Sequence, residues 1–188
     1  STMQLTVESF DFLPHAEYFL KNAESTDLTI CGNISLCSLY YHVAQVASHK
    51  AEYQKALLYY EKAKKYLPVD RNDIHYKICH ATGQTYLAMH KISLDYENSQ
   101  KYLYEALELA EKTDGQSSSG YAAILNDLAR LEYDMGDYAK SIVTCSRVIE
   151  ICIEIKLPET SLAYVQHDLA MAYAALKEFD PAKEYYQK

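Results

Sequence analysis

ALLYYEKAKKYLP, residues 56–68, sets the frame for the whole chain: Ala56, Tyr60 and Ala63 lie on one helical face, and Pro68 stops the helix that carries them. The pattern returns in softened form as Ser99-x3-Leu103-x2-Ala106, Ser141-x3-Cys145-x2-Val148 and Ala182-x3-Tyr186. Each copy follows, by 12 or 16 residues, a small residue inside an apolar helical stripe: Ala44, Gly83, Ala129 and Ala170. Small residues at these spacings let two helices approach closely while a neighbouring ring fills the groove beside them. The spacing therefore predicts a tandem array of helix-turn-helix units, each burying its apolar face against the next.

Composition agrees with an all-helical chain. Only 5 Gly and 4 Pro punctuate 188 residues, and long unbroken stretches are rich in Ala, Leu, Glu, Lys and Tyr. With 49% hydrophobic residues the chain has enough apolar side chains for a sizeable core. There are 19 Tyr, several at positions where the repeat wants a large ring, among them Tyr60, Tyr86, Tyr173 and Tyr186. Amphipathic packing accounts for them, with an aromatic-lined binding surface as the functional alternative.

The repeat resembles the tetratricopeptide (TPR) family, and Tyr40 occupies the place where the first helix of that family often carries Trp. The resemblance implies an all-α fold, a right-handed superhelical solenoid of antiparallel helix-turn-helix repeats whose concave groove binds other proteins. Marker to marker, the spacings are 39, 46 and 41 residues, against about 34 for a minimal unit. A repeat near 40 residues is similar to the extended subclass found in kinesin light chain, the Pins-type polarity adaptors and the bacterial Rap regulators. The surplus follows the second-helix marker, so the second helices are expected to be long, with Ser99–Lys112 and Ile142–Ile155 free of breakers. The second repeat also gains four residues between its markers, around His90–Ser99, read as a longer turn.

One domain over 1–188 is expected, with repeats at 37–70, 73–114 and 119–156 and partial ones at 12–32 and 159–188. Ala16-x3-Leu20-x2-Ala23 fits a second helix without its first, and the chain stops at Lys188 inside the last unit, so a fragment of a longer solenoid is expected. Self-association through the open ends is the other way to cover such faces. Turn chemistry supports these divisions. Gly136 and Pro158 mark ends or starts, Asp180 before Pro181 reads as a helix N-cap, and Gly115–Gly120 reads as a flexible serine-rich loop.

Relative to each first-helix marker, the positions three before and one after are expected to face the groove. They are Tyr41 and Gln45, His80 and Gln84, Asn126 and Arg130, and His167 and Met171; Tyr133 adds a ring one turn on. Amides both donate and accept, so a ladder of Gln45, Gln84 and Asn126 suits the backbone of an extended peptide, and Arg130 suits a carboxylate. The carboxylate clamp of the chaperone-binding members is missing, with Tyr41 and His80 where its lysine belongs and Gln45 and Gln84 where its asparagine belongs. Acidic C-terminal chaperone tails are therefore not the expected partner.

A net charge of −8 and the lack of a basic run beyond Lys62–Lys65 argue against nucleic acid. No stretch has the length and apolarity of a membrane span, and the N-terminus lacks a signal pattern. The five cysteines form no zinc-ribbon or CxxC spacing, which fits a reducing, cytoplasmic setting. His75-x3-Cys79 shares one helical face, yet two ligands make no site and Cys79 fits the core stripe. With no phosphate loop, HExxH or GxSxG motif, the chain is expected to be no enzyme and to hold no metal or cofactor. The expected function is a protein-interaction scaffold or adaptor that holds a partner segment in the concave groove. The alternative is a ligand- or peptide-sensing module of a larger signalling or transcription regulator.

Overall fold

In the computed structural model the described residues are 30–93 and 96–186, together with residues 14, 18, 20 and 22. The partial unit expected at 12–32 falls almost wholly outside them. Every regular element among the described residues is an α-helix: α1 (Ile30–His49), α2 (Tyr53–Lys65), α3 (Asn72–Ser93), α4 (Tyr96–Asp114), α5 (Ser119–Asp134), α6 (Tyr138–Glu154), α7 (Glu159–Ala175) and α8 (Phe179–Tyr186). Odd and even helices pair as antiparallel hairpins, and each hairpin leans on the next. Each first helix also touches the next first helix, from α1 to α3, α3 to α5 and α5 to α7. First helices begin at residues 30, 72, 119 and 159, so the repeat is a long one.

The small markers sit at the hairpin crossings. Ala44, Ala56, Ala129 and Ala170 are fully buried. Ser141 Oγ donates to the Ala129 carbonyl at 2.8 Å, and Ser99 Oγ donates to the Gly83 carbonyl at 3.0 Å. Two of the four marker pairs found in the sequence are thus direct contacts between the two helices of one repeat. The core runs along the stack as two clusters, one from α1 and α2 and one from α3 to α7. α3 serves both, sending Ile78 and Ala81 one way and Cys79, Leu87 and Tyr76 the other. Nearest-neighbour burial of this kind defines a solenoid.

Three tyrosine groups act as clasps inside hairpins. Tyr86 stacks on Tyr102 and Tyr173 on Tyr185, with ring centroids at 5.7 and 6.0 Å and rings within 11° of parallel. In the first hairpin Tyr40 stacks on Tyr66 and Tyr59. In the third repeat the positions equivalent to Tyr86 and Tyr102 are Glu132 and Thr144, and there Thr144 Oγ1 donates to Glu132 Oε2 at 2.7 Å. Much of the tyrosine richness is therefore intra-repeat packing.

One turn design closes four of the helices. Ala51, Gly136, Lys156 and Lys177 all have positive φ, between 55° and 84°. In each case the next residue's N–H reaches back to a carbonyl in the last turn: Glu52 to Ala47, Asp137 to Glu132, Leu157 to Cys152 and Glu178 to Tyr173. This left-handed closing residue satisfies the orphan carbonyls at a helix end. It falls seven residues after the markers Ala44, Ala129 and Ala170. In the second repeat the same place is His90, and there the helix does not close. The four extra residues lengthen α3 to Ser93 instead of enlarging a turn, because no residue from His90 to Ser93 breaks a helix.

Two smaller expectations are corrected. α8 begins at Phe179, so Asp180 lies within its first turn and is not the N-cap; the Glu178 bond to Tyr173 ends α7 and lets the chain re-enter helix at once. The serine-rich segment is a built cap: Ser118 accepts from the Tyr121 N–H and donates to the Gly115 carbonyl, and Ser117 donates to Glu154 of α6.

Candidate functional site

The first helices leave a row of cavities between their exposed faces, and Arg130 lines three of them, of about 690, 240 and 230 Å³. The sequence-derived ladder divides into parts that behave differently. Tyr41 and Gln45 stay together on α1: Gln45 Nε2 donates to the Tyr41 hydroxyl at 3.1 Å and its Oε1 lies 3.2 Å from His42 Nδ1. Burial pushes the Tyr41 phenol up from its usual range. Both ends of the Gln45 amide are engaged within its own helix.

His80 and Gln84 converge on a residue the ladder did not include. Both lie 2.7 Å from Asp127 Oδ2 on α5. An ionised carboxylate only accepts, so His80 Nε2 carries the proton it donates. Arg130 Nη1 lies 3.6 Å from the other carboxylate oxygen. Asp127 is buried, and the three donors balance a charge that would otherwise be costly there. Its group ties the second repeat to the third. The offset from the marker was the available signal: the position two before Ala129 and two before Ala170 is Asp in both repeats, Asp127 and Asp168.

The next seam is built from equivalent positions and is open. Asn126, Arg130 and Asp168 occupy in α5 and α7 the places that His80, Gln84 and Asp127 occupy in α3 and α5. Here they line the 690 Å³ cavity. Its floor is apolar, with Val148 and Cys152 from α6 and Leu157 and Val165 beside them; Ser119, Ser161, Tyr164 and His167 complete the rim. His167 is exposed, with Nδ1 3.6 Å from its neighbour Asp168. Asn126 Oδ1 is buried and has no hydrogen-bond partner. Tyr133 packs its ring on Tyr138 at 5.2 Å and borders the adjoining 240 Å³ cavity with Met171. The structure therefore brings Asn126, Arg130 and His167 together, ties His80 and Gln84 into a structural contact, and leaves Tyr41 and Gln45 at the far end of the row.

A profile of the tetratricopeptide repeat family matches residues 81–142 and 120–188, more than half of the chain. The chain belongs to the tetratricopeptide repeat family. No curated protein matches it in sequence. Among solved structures this TPR chain is similar to BtubC (BKLC) from P. vanneervenii, with 20% identity over 98% of this chain and 73% of that one and a TM-score of 0.80. It is similar also to a putative kinesin light chain of Podosopora anserina with nearly identical TPR-like repeats: 18% identity, 98% and 86% coverage, TM-score 0.75. The apo form of RapI superposes with a TM-score of 0.69, at 15% identity over 98% of this chain and 48% of RapI. At these identities the likeness is one of fold. No helix among the described residues is long and apolar enough to cross a membrane.

Proposed function

We propose that the chain is a non-catalytic, cytoplasmic interaction module that holds an extended segment of a partner protein in the groove between α5 and α7. One observation carries the reading: a buried amide oxygen, Asn126 Oδ1, has no partner at the wall of a 690 Å³ cavity. A buried acceptor without a hydrogen bond costs about 1–3 kcal/mol, and a backbone N–H from a bound segment satisfies it. The apolar floor then receives a side chain of that segment. Arg130, about half exposed and held by Asp127 on one side only, takes an acceptor group beyond it. The contrast with the neighbouring seam supports this, since there the equivalent residues satisfy one another.

A cavity of this size lies in the range that encloses a small ligand, which favours one second reading, a module that senses a short free peptide. Peptides selected on the wild-type chain from a random library test both. Asn126→Ala is expected to weaken the selected peptides at least tenfold, in line with about 2 kcal/mol for a central anchor. Equal affinities for wild type and variant would place the binding elsewhere. Retention of micromolar affinity by a free five-residue peptide would favour the sensing form.

A further inference from the structure

Away from the groove, α2, α3 and α4 meet around three side chains of different donor type. His75 and Cys79 are one turn apart on α3, and Glu105 comes from α4; their ligand atoms all lie within 4.8 Å of one another. His75 Nε2 and Glu105 Oε1 are 3.4 Å apart, yet Nε2 is buried and makes no hydrogen bond. Lys64 of α2 places its ammonium 3.0 Å from the same carboxylate oxygen. The geometry points to a binding site for one divalent transition-metal ion of the zinc type, formed by His75, Cys79 and Glu105.

A nitrogen, a sulfur and a carboxylate oxygen make a borderline-soft donor set that suits zinc or cobalt and not magnesium or calcium. At metal–ligand lengths of about 2.0–2.3 Å, tetrahedral donors stand about 3.3–3.8 Å apart. The histidine–glutamate separation already has that value, and the thiol is within reach. An unpartnered imidazole nitrogen facing a carboxylate is what an intervening cation accounts for. Lys64 supplies the positive charge at this carboxylate; partly exposed, it can swing out to water when an ion takes its place. His75 and Lys64 also line a cavity of about 260 Å³ with Leu67, Arg71 and Asn72, from which solvent can supply a fourth ligand. Binding forms three metal–ligand bonds, and the proton leaving the Cys79 thiol passes to solvent.

Titration of the full chain with cobalt(II) reads this directly. One equivalent is expected to bind, with tetrahedral visible bands and a thiolate-to-cobalt charge-transfer band, both displaced by one equivalent of zinc. Cys79→Ser is expected to abolish the charge-transfer band, and His75→Ala and Glu105→Gln to weaken binding at least tenfold each. Lys64→Met removes the competing ammonium and is expected to tighten binding several-fold. Absence of the charge-transfer band in the folded wild type overturns the proposal. So does its survival in Cys79→Ser, or weaker binding in Lys64→Met. If Cys79→Ser does not fold, His75→Ala and Glu105→Gln alone decide, since both side chains reach the surface.

Discussion

Gly83 lies against Leu103 so closely that a Cβ at Gly83 would stand 2.8 Å from Leu103 Cγ and 3.2 Å from its backbone nitrogen. Ser99 Oγ donates to the Gly83 carbonyl in the same crossing, so α3 and α4 approach closely there. Gly83→Ala gains helix propensity of about 1 kcal/mol but overpacks at a cost of about 1–3 kcal/mol. The expected outcome in urea denaturation is a net loss of stability. In a Leu103→Ala background the same substitution should cost clearly less, because the 2.8 Å side-chain contacts are gone and only the 3.2 Å contact with the backbone nitrogen remains. Additive effects in the double mutant would contradict the close approach.

The left-handed turn residues give an opposite pair. Gly136 has a φ of 84°, and a Cβ added to it would meet nothing within 4 Å, so Gly136→Ala is opposed only by its backbone angle. A loss of about 1 kcal/mol is expected. Lys177, at φ 64°, holds the equivalent place in the next repeat, and Lys177→Gly is expected to raise the melting temperature slightly. Equal and same-signed shifts in the two variants would show that the turns are not equivalent.

Asn126 and Asp127 are neighbours with opposite roles. Asp127 accepts from His80 and Gln84 and sits beside Arg130, so Asp127→Ala is expected to destabilise the chain by about 1–3 kcal/mol through the groups it leaves unpaired. Asn126 Oδ1 has no partner, so Asn126→Ala is expected to leave stability unchanged or raise it while weakening peptide binding at least tenfold. Denaturation curves and peptide titrations on the same two variants separate the roles.

Burial pushes the Cys145 thiol up to about 12. At pH 8 only about one molecule in 10,000 then carries the reactive thiolate at this position. Cys145 is expected to resist iodoacetamide in the folded chain and to react promptly in guanidinium, as peptide mapping by mass spectrometry would read. Rapid alkylation of Cys145 in the native state would mean that α6 opens locally.

How much of this is legible in the sequence depends on the range of each interaction. Ala129 and Ser141, or Gly83 and Ser99, meet within one hairpin, so the spacing in the chain reports their contact, and the helix pairs follow from it. The extra length of α3 reads as a turn because an insertion looks the same in sequence whether it extends a helix or a loop. Only the continued bonding past His90 separates the two. Asp127 escapes for a different reason. Its offset from the marker, shared with Asp168, singles out the position, but its partners His80 and Gln84 belong to the preceding repeat, and no local pattern records which polar residue faces which across a seam. Glu105 escapes in the same way: His75 and Cys79 are visible as a helical pair, but the third donor arrives from another helix.

The most direct test of groove binding is site-specific photo-crosslinking in cell extract. A photoreactive residue at Tyr164, 76% exposed at the rim of the large cavity, is compared with one at Val143, 69% exposed on α6. Groove binding predicts a discrete adduct from position 164 that disappears when Asn126→Ala is added, and none from position 143. Adducts from position 143 alone, or adducts at 164 that survive Asn126→Ala, would contradict it.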